Sequence, residues 1–147
     1  LPIKQVITPH FVVTTGPDAI REDKPTIERE NVFGLVKHWK EERYFVLDWK
    51  EFGWKSFVIG GINDKETAEQ AVIREVKEET GYQDIKSVKE VCFKTYATFF
   101  ARHKNVNRKA SYRSFFVELG SDKYIKPKPE HVKNHEGKWL NKNYIVL

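Results

Sequence analysis

The chain has 147 residues, no methionine and a single cysteine, Cys92. One cysteine excludes an internal disulfide framework. Its place in a strand-like run reads as a small core residue rather than a nucleophile. No apolar run is long enough to span a bilayer, and no secretory leader is recognisable. A reducing, cytoplasmic setting without a membrane partner is the expectation. The five histidines are scattered without zinc spacing, so a structural zinc site is not expected. With no methionine and an opening at Leu1, the sequence reads as a piece cut from a longer polypeptide, or one freed from a tag.

What is present describes a globular domain. Hydrophobic residues make up 39% and aromatic residues 14%, enough for one real core at this length. The net charge is +5. A modest basic excess fits an anionic ligand and equally fits a soluble surface.

Residues 1–30 mix a short apolar run at 11–13 with turn signals at Gly16-Pro17 and Lys24-Pro25. They read as an N-terminal arm or linker, with the main domain over 31–147. Residues 31–39 and 43–49 are apolar runs joined by Lys40-Glu41-Glu42, a predicted hairpin. A short strand follows at 56–59. Val91, Phe93, Thr95, Ala97 and Phe99 alternate with more polar residues, a predicted long strand. Another is expected at 112–119, then a turn-rich connection over 120–129, then a short strand at Trp139 and Leu140. Strands, one central helix and strands again imply one α+β domain, a sheet covered by helices.

The central helix carries the chemistry. Thr67 is a predicted N-cap with Gln70 as its capping-box partner, and Gly81 is a stop signal. Ala68, Ala71, Val72 and Val76 mark a buried flank. Glu75, Glu78 and Glu79 stand at i, i+3 and i+4, gathered on the border of that flank. Gln70, Arg74 and Lys77 fall on the opposite side, which is expected to be solvated. Three carboxylates crowded beside an apolar flank repel one another and lose hydration. A hard divalent cation relieves both, and oxygen ligands suit Mg²⁺ or Mn²⁺.

The spacing is specific. Gly60 is followed after five residues by Glu66, and seven residues later come Arg74, Glu75, Val76, Glu78, Glu79, Gly81 and Tyr82. This resembles the Nudix box, the signature of hydrolases that cut nucleoside diphosphates linked to another moiety. The resemblance implies an α-β-α sandwich with a mixed β-sheet and a Mg²⁺- or Mn²⁺-dependent pyrophosphohydrolase. Carried over by position, Glu78 and Glu79 are metal ligands, Glu75 is a ligand or the base that orients water, and a backbone carbonyl at Gly60 completes the set. Arg74 is expected to pair with Glu66 or a neighbouring carboxylate and hold the helix against its loop. Family members often add a carboxylate from a later loop; of Glu118, Glu130 and Glu136, the last, just before Trp139, fits best. Three positions depart from the family: Ile59 stands where many members have proline, only four residues separate Gly61 from Glu66, and the box ends in Tyr82 rather than an aliphatic residue.

From Arg102 to Arg113 the chain carries five Lys or Arg side chains and no acid. It reads as a loop between strands whose Lys104, Arg108 and Lys109 grip phosphates or an RNA backbone, or as a plain solvated basic turn. Trp54, just before the box, is a candidate for stacking on a base. The opening residues Leu1 to Ile7, and the run from Phe52 to Gly61, look like segments of leucyl-tRNA synthetases that carry an inserted Nudix domain. Two readings therefore stand side by side. One is an active hydrolase of a nucleotide-derived diphosphate. The other is a Nudix-fold binding module, contacting tRNA, with little turnover.

Overall fold

A computed structural model describes residues 10–51 and 53–144, without the side chains of Trp54, Cys92 and Phe93. Eight strands and one α-helix are laid out in the order β1 (His10–Val12), β2 (Thr26–Lys37), β3 (Arg43–Trp49), β4 (Trp54–Ser56), β5 (Val58–Gly61), α1 (Ala68–Thr80), β6 (Ile85–Ala101), β7 (Val106–Leu119) and β8 (His135–Asn141). The sheet runs β1-β6-β7-β2-β3-β4, with β5 added to β2 and β8 added to β3. Pairing of β1 with β6 and of β2 with β7 is parallel, and the remaining pairs are antiparallel, so the sheet is mixed.

Two consequences of this pairing position the site. First, β2 meets β3 only at Val36↔Phe45 and Lys37↔Tyr44, while its stretch from Asn31 to Gly34 pairs with β5. The hairpin over 31–49 forms, but its strands then diverge. β3 goes on to pair with β4 and β8. Second, strand alternation gives the sheet two different faces. Val32 and Val36 of β2, Phe45 and Leu47 of β3, and Phe115, Val117 and Leu119 of β7 face α1. There they bury against Ala68, Ala71, Val72 and Val76. The opposite face carries Phe33, Tyr44, Tyr112 and Phe116. Phe33 stacks on Tyr112 with centroids 4.8 Å apart, and Tyr44 meets Phe116 edge-on. Among the described residues the only other helical elements are three single 3₁₀ turns, at Arg102–Lys104, Pro129–His131 and Lys142–Tyr144.

The segment before Asn31 is woven into the sheet. β1 pairs with β6, and β2 begins at Thr26, so the strand crosses the boundary drawn at 30/31. Asn107 fastens the connection: its Oδ1 accepts from the Arg21 amide at 2.8 Å, and its Nδ2 donates to the Arg21 and Lys24 carbonyls. Residues 1–9, whose first seven carry part of the resemblance to leucyl-tRNA synthetases, and Phe52, the first of its second run, lie outside the described residues.

Candidate active site

The helix that carries the carboxylates is fixed at both ends by its own sequence. Thr67 Oγ1 accepts from the Gln70 amide at 3.1 Å, and Gln70 Oε1 accepts from the Thr67 amide at 2.9 Å. This reciprocal pair satisfies two of the backbone donors that every helix start leaves open. At the other end Gly81 takes φ 85°, a left-handed conformation that glycine adopts without a Cβ penalty. The loop ahead of the helix is one residue short by the family count from Gly61. It closes with Lys65 at φ 64° and a tight turn in which Glu66 N donates to Asn63 O at 3.1 Å.

Arg74 ties loop and helix together. Its Nε donates to Glu66 Oε2 at 2.8 Å, and its Nη2 donates to Glu66 Oε1 and to the Gly61 carbonyl, each at 2.9 Å. Its Nη1 donates to Glu75 Oε1 at 2.7 Å and to Glu78 Oε2 at 3.3 Å. The helical wheel puts Arg74 on the solvated side, but the loop folds back over that side and encloses it. The bonds to Glu66, above all, push the guanidinium further up from its already high range. The same bonds hold the Glu66 carboxyl below the usual glutamate range. Glu66 also accepts from the Asn63 amide at 3.0 Å.

Glu75 is sealed against β5. A Cβ placed on Gly60 would fall 2.0 Å from Glu75 Cδ, so only glycine leaves room for the carboxylate there. Burial pushes the Glu75 carboxyl above the usual range; Arg74 opposes this, and Glu79 and Glu78 add to it. Glu79 turns toward β8. His135 Nε2 touches its Oε2 at ion-pair distance, yet off the line of a hydrogen bond, so that buried oxygen has no hydrogen-bond donor among the described residues. Glu78 lies between Arg74 and His131, whose Nδ1 is 3.8 Å away.

The donor set suits a hard divalent cation: carboxylate oxygens with incomplete hydrogen bonding, one of them held against a glycine backbone. Among the described residues no three His, Cys, Asp or Glu side chains converge as a cation cage. The guanidinium of Arg74 is bonded to both Glu75 and Glu78.

The remaining sequence candidates separate. Glu136 is exposed on β8, opposite Asp48 in register, and neighbours Lys138, which is bonded to Asp48 at 2.7 Å. It therefore points to the face away from α1, because alternation gives the inward direction to His135, Gly137 and Trp139. His135 is the residue that sequence reasoning missed. Its parity with Trp139 was the available signal. The basic run is not one loop either. Only Arg102–Lys104 form the turn, with Lys104 exposed, while Arg108 and Lys109 lie in β7 and point to opposite faces. Arg102 is paired with Asp18 and Arg113 with Glu90. Trp54 pairs with Trp49 through β4, and its side chain lies outside the described residues.

The family model of the NUDIX domain matches residues 28–145. The chain therefore belongs to the NUDIX domain family, and by class it is a Nudix hydrolase. Among solved structures it resembles the E. coli dihydroneopterin triphosphate pyrophosphohydrolase, with TM-score 0.58 and 19% identity over 80% of this chain and 84% of that one. It also resembles the NUDIX domain of Shewanella oneidensis NrtR complexed with ADP ribose, with TM-score 0.58 and 11% identity over 80% and 75%. A MutT NUDIX hydrolase from Burkholderia pseudomallei aligns with TM-score 0.55 and 15% identity over 82% and 88%. At such identities the likeness speaks for the fold. No curated protein matches the sequence. Among the described residues no helix is long and apolar enough to cross a membrane.

Proposed function

We propose that the chain is a divalent-metal-dependent hydrolase that cleaves the diphosphate linkage of a nucleoside diphosphate joined to another moiety. The observation that carries this reading is the carboxyl of Glu75, buried against Gly60 and crowded by Glu78 and Glu79. Burying like charges is costly unless something compensates them. In this reading Glu75, Glu78, Glu79 and the carbonyl of Gly60 hold Mg²⁺ or Mn²⁺. The ion, when bound, neutralises anhydride oxygens and acidifies a bound water. Arg74 and Glu66 are positioning residues: they hold the 61–66 loop on the helix, so that the Gly60 carbonyl and the carboxylates keep one geometry. That two proteins of this fold act on dihydroneopterin triphosphate and bind ADP ribose supports a phosphoanhydride as the ligand class.

The test is release of phosphate or nucleotide from a panel that spans ADP-ribose, dinucleoside polyphosphates, nucleoside triphosphates and capped RNA, with Mg²⁺ or Mn²⁺, comparing wild type with Glu78→Gln. Turnover lost in the variant supports the hydrolase and names the substrate. A second reading, a binding module of the kind inserted in leucyl-tRNA synthetases, is favoured by the guanidinium of Arg74 standing among the carboxylates. A folded protein with no turnover across the panel, and with measurable tRNA binding, would decide for it.

A further inference from the structure

The sheet face turned away from α1 carries two cations that the hydrolytic reading does not use. Arg108 of β7 is partly buried, and among the described residues its solvent-shielded Nε has no hydrogen-bond partner. Arg29 of β2 sits one diagonal step away, since Ile27 pairs with Arg108 and Arg29 with Ala110. The guanidinium of Arg29 lies over Gly61, where an added Cβ would meet its Nη2 at 2.4 Å. Among the described residues neither side chain has a carboxylate partner, whereas Arg43, Arg74, Arg102 and Arg113 each have one. Burial, and then the charge of Arg29, hold the Arg108 guanidinium below its usual range. Glu28 and Glu30 are on the opposite pleat of β2 and offer no relief. Beside the pair stands Tyr112, whose phenol burial keeps protonated and able to donate, and whose ring continues into the stack with Phe33.

We propose that Arg29, Arg108 and Tyr112 form an anion site for a phosphate group of a nucleotide-type ligand, reached from the face of the sheet opposite α1. Two guanidiniums on neighbouring strands, whose backbones lie roughly 4.8 Å apart, can bracket a tetrahedral anion. The Phe33–Tyr112 stack offers a flat surface for a ring attached to it. The site borders Gly61, so a ligand held there lies beside the box loop. The same observations argue against a nucleic-acid track. Lys109 points to the other face, and Arg102 and Arg113 are each ion-paired, so the basic run forms no continuous stripe. That the phosphate belongs to the substrate rests on the hydrolase reading; that an anion binds between the arginines does not.

The test uses metal-free protein in chelator, with inorganic pyrophosphate and inorganic phosphate as probes, read by titration calorimetry and thermal shift. Pyrophosphate is expected to raise the melting temperature of wild type. Arg108→Met is expected to melt higher than wild type without ligand, because it removes a partly buried guanidinium whose Nε has no hydrogen-bond partner among the described residues. It is also expected to bind pyrophosphate at least tenfold more weakly. Arg29→Gln, at an exposed position, is expected to lose affinity likewise, and it carries the test if the Arg108 variant does not fold. Unchanged affinity in both variants, or a lower melting temperature for Arg108→Met with binding intact, overturns the site. So does a single-stranded RNA oligomer that binds through Arg108 far more tightly than pyrophosphate. The two readings fail separately. If Glu78→Gln abolishes turnover while Arg108→Met leaves pyrophosphate affinity and KM unchanged, the anion site falls and the hydrolase stands. If pyrophosphate binding depends on Arg108 and no substrate is turned over, the anion site stands and the hydrolase falls.

Discussion

Arg74 and Arg108 are both partly buried guanidiniums, on opposite sides of one sheet. Arg74, on the α1 side, donates to Glu66, Glu75, Glu78 and the Gly61 carbonyl, while Arg108, on the far side, has a buried Nε without a partner among the described residues. The sequence contexts differ in one respect. Arg74 sits on a helix beside three glutamates, whereas Arg108 sits in a stretch without acids. The paired guanidinium is an element of the fold and fixes the box loop. The unpaired one costs the folded state something and gains when an anion arrives. The proposed metal site and the proposed anion site thus lie on opposite faces of one sheet, and each can be challenged by mutation.

The largest effect is expected on the α1 side. Removing one ligand oxygen with Glu78→Gln should lower kcat at least about 100-fold, since disturbing even the outer partners of a metal costs 10–100-fold. Steady-state kinetics at saturating Mg²⁺ check it. Gly60→Ala should come close behind. The new Cβ falls 2.0 Å from Glu75 Cδ and 2.4 Å from its Cγ, atoms of a flexible side chain that can swing away. The fold should therefore survive with a nearly normal melting temperature, while metal affinity and turnover fall together.

Breaking the clamp is expected to cost stability rather than chemistry alone. Arg74→Ala leaves Glu66 and Glu75 facing each other without a cation, and removing one partner of such a buried pair costs about 3 kcal/mol. Denaturant unfolding measures it. Arg74→Lys should recover only part of the loss, because an ammonium cannot reproduce the bidentate pairing with Glu66.

The two glutamates that touch Arg74 should respond to pH with opposite sign. Glu66 has its folded pKa lowered, so its contribution is fully present above the ordinary value of 4.5 and is lost as pH falls through the folded value. Glu66→Gln should therefore be destabilising at pH 7, by a margin that closes in acid. Glu75 has its folded pKa raised by burial, so its ionised form weighs against folding above that raised value. In metal-free protein Glu75→Gln should melt higher than wild type at pH 7, by roughly 2–4 °C for each 1 kcal/mol relieved. That gain should fade as pH falls toward 4.5. Melting curves in chelator from pH 7 to pH 4 check both slopes, and parallel slopes would refute the division of roles.

The helix, its caps and the grouping of its carboxylates were legible in the sequence because they are local. Thr67, Gln70 and Gly81 cap α1 through contacts within a few residues, and the spacing of Glu75, Glu78 and Glu79 is a property of the helix itself. The main strand segments were legible from their apolar runs and alternation, but their order in the sheet was not. What was hidden depends on where other elements go. The wheel placed Arg74 toward solvent because periodicity describes one element and is silent on the loop that returns over it. The basic run read as a unit because charge along a chain says nothing of the pleat, which sends Arg108 and Lys109 to opposite faces. Arg29 carried no signal at all. Its meaning comes from the parallel pairing of β2 with β7, partners that lie about eighty residues apart in the chain.

Glu136 provides the smallest expected effect and the sharpest check on sidedness. As a glutamate just before the late tryptophan it had the right type and place, but one step along a strand reverses direction. His135 reaches Glu79, while Glu136 lies with Lys138 and Asp48 on the far face. Glu136→Gln should therefore leave kcat close to that of wild type, and as a surface substitution it should change stability by no more than about 0.5 kcal/mol. His135→Gln, by contrast, removes the ring that packs on Trp49 and contacts Glu79. It should raise the Mg²⁺ concentration needed for half-maximal rate by about tenfold or more, as loss of a group that orients a metal ligand does. A larger loss from Glu136→Gln than from His135→Gln would mean that β8 turns Glu136, and not His135, toward the carboxylates of α1, and the assignment of its two faces would have to be redrawn.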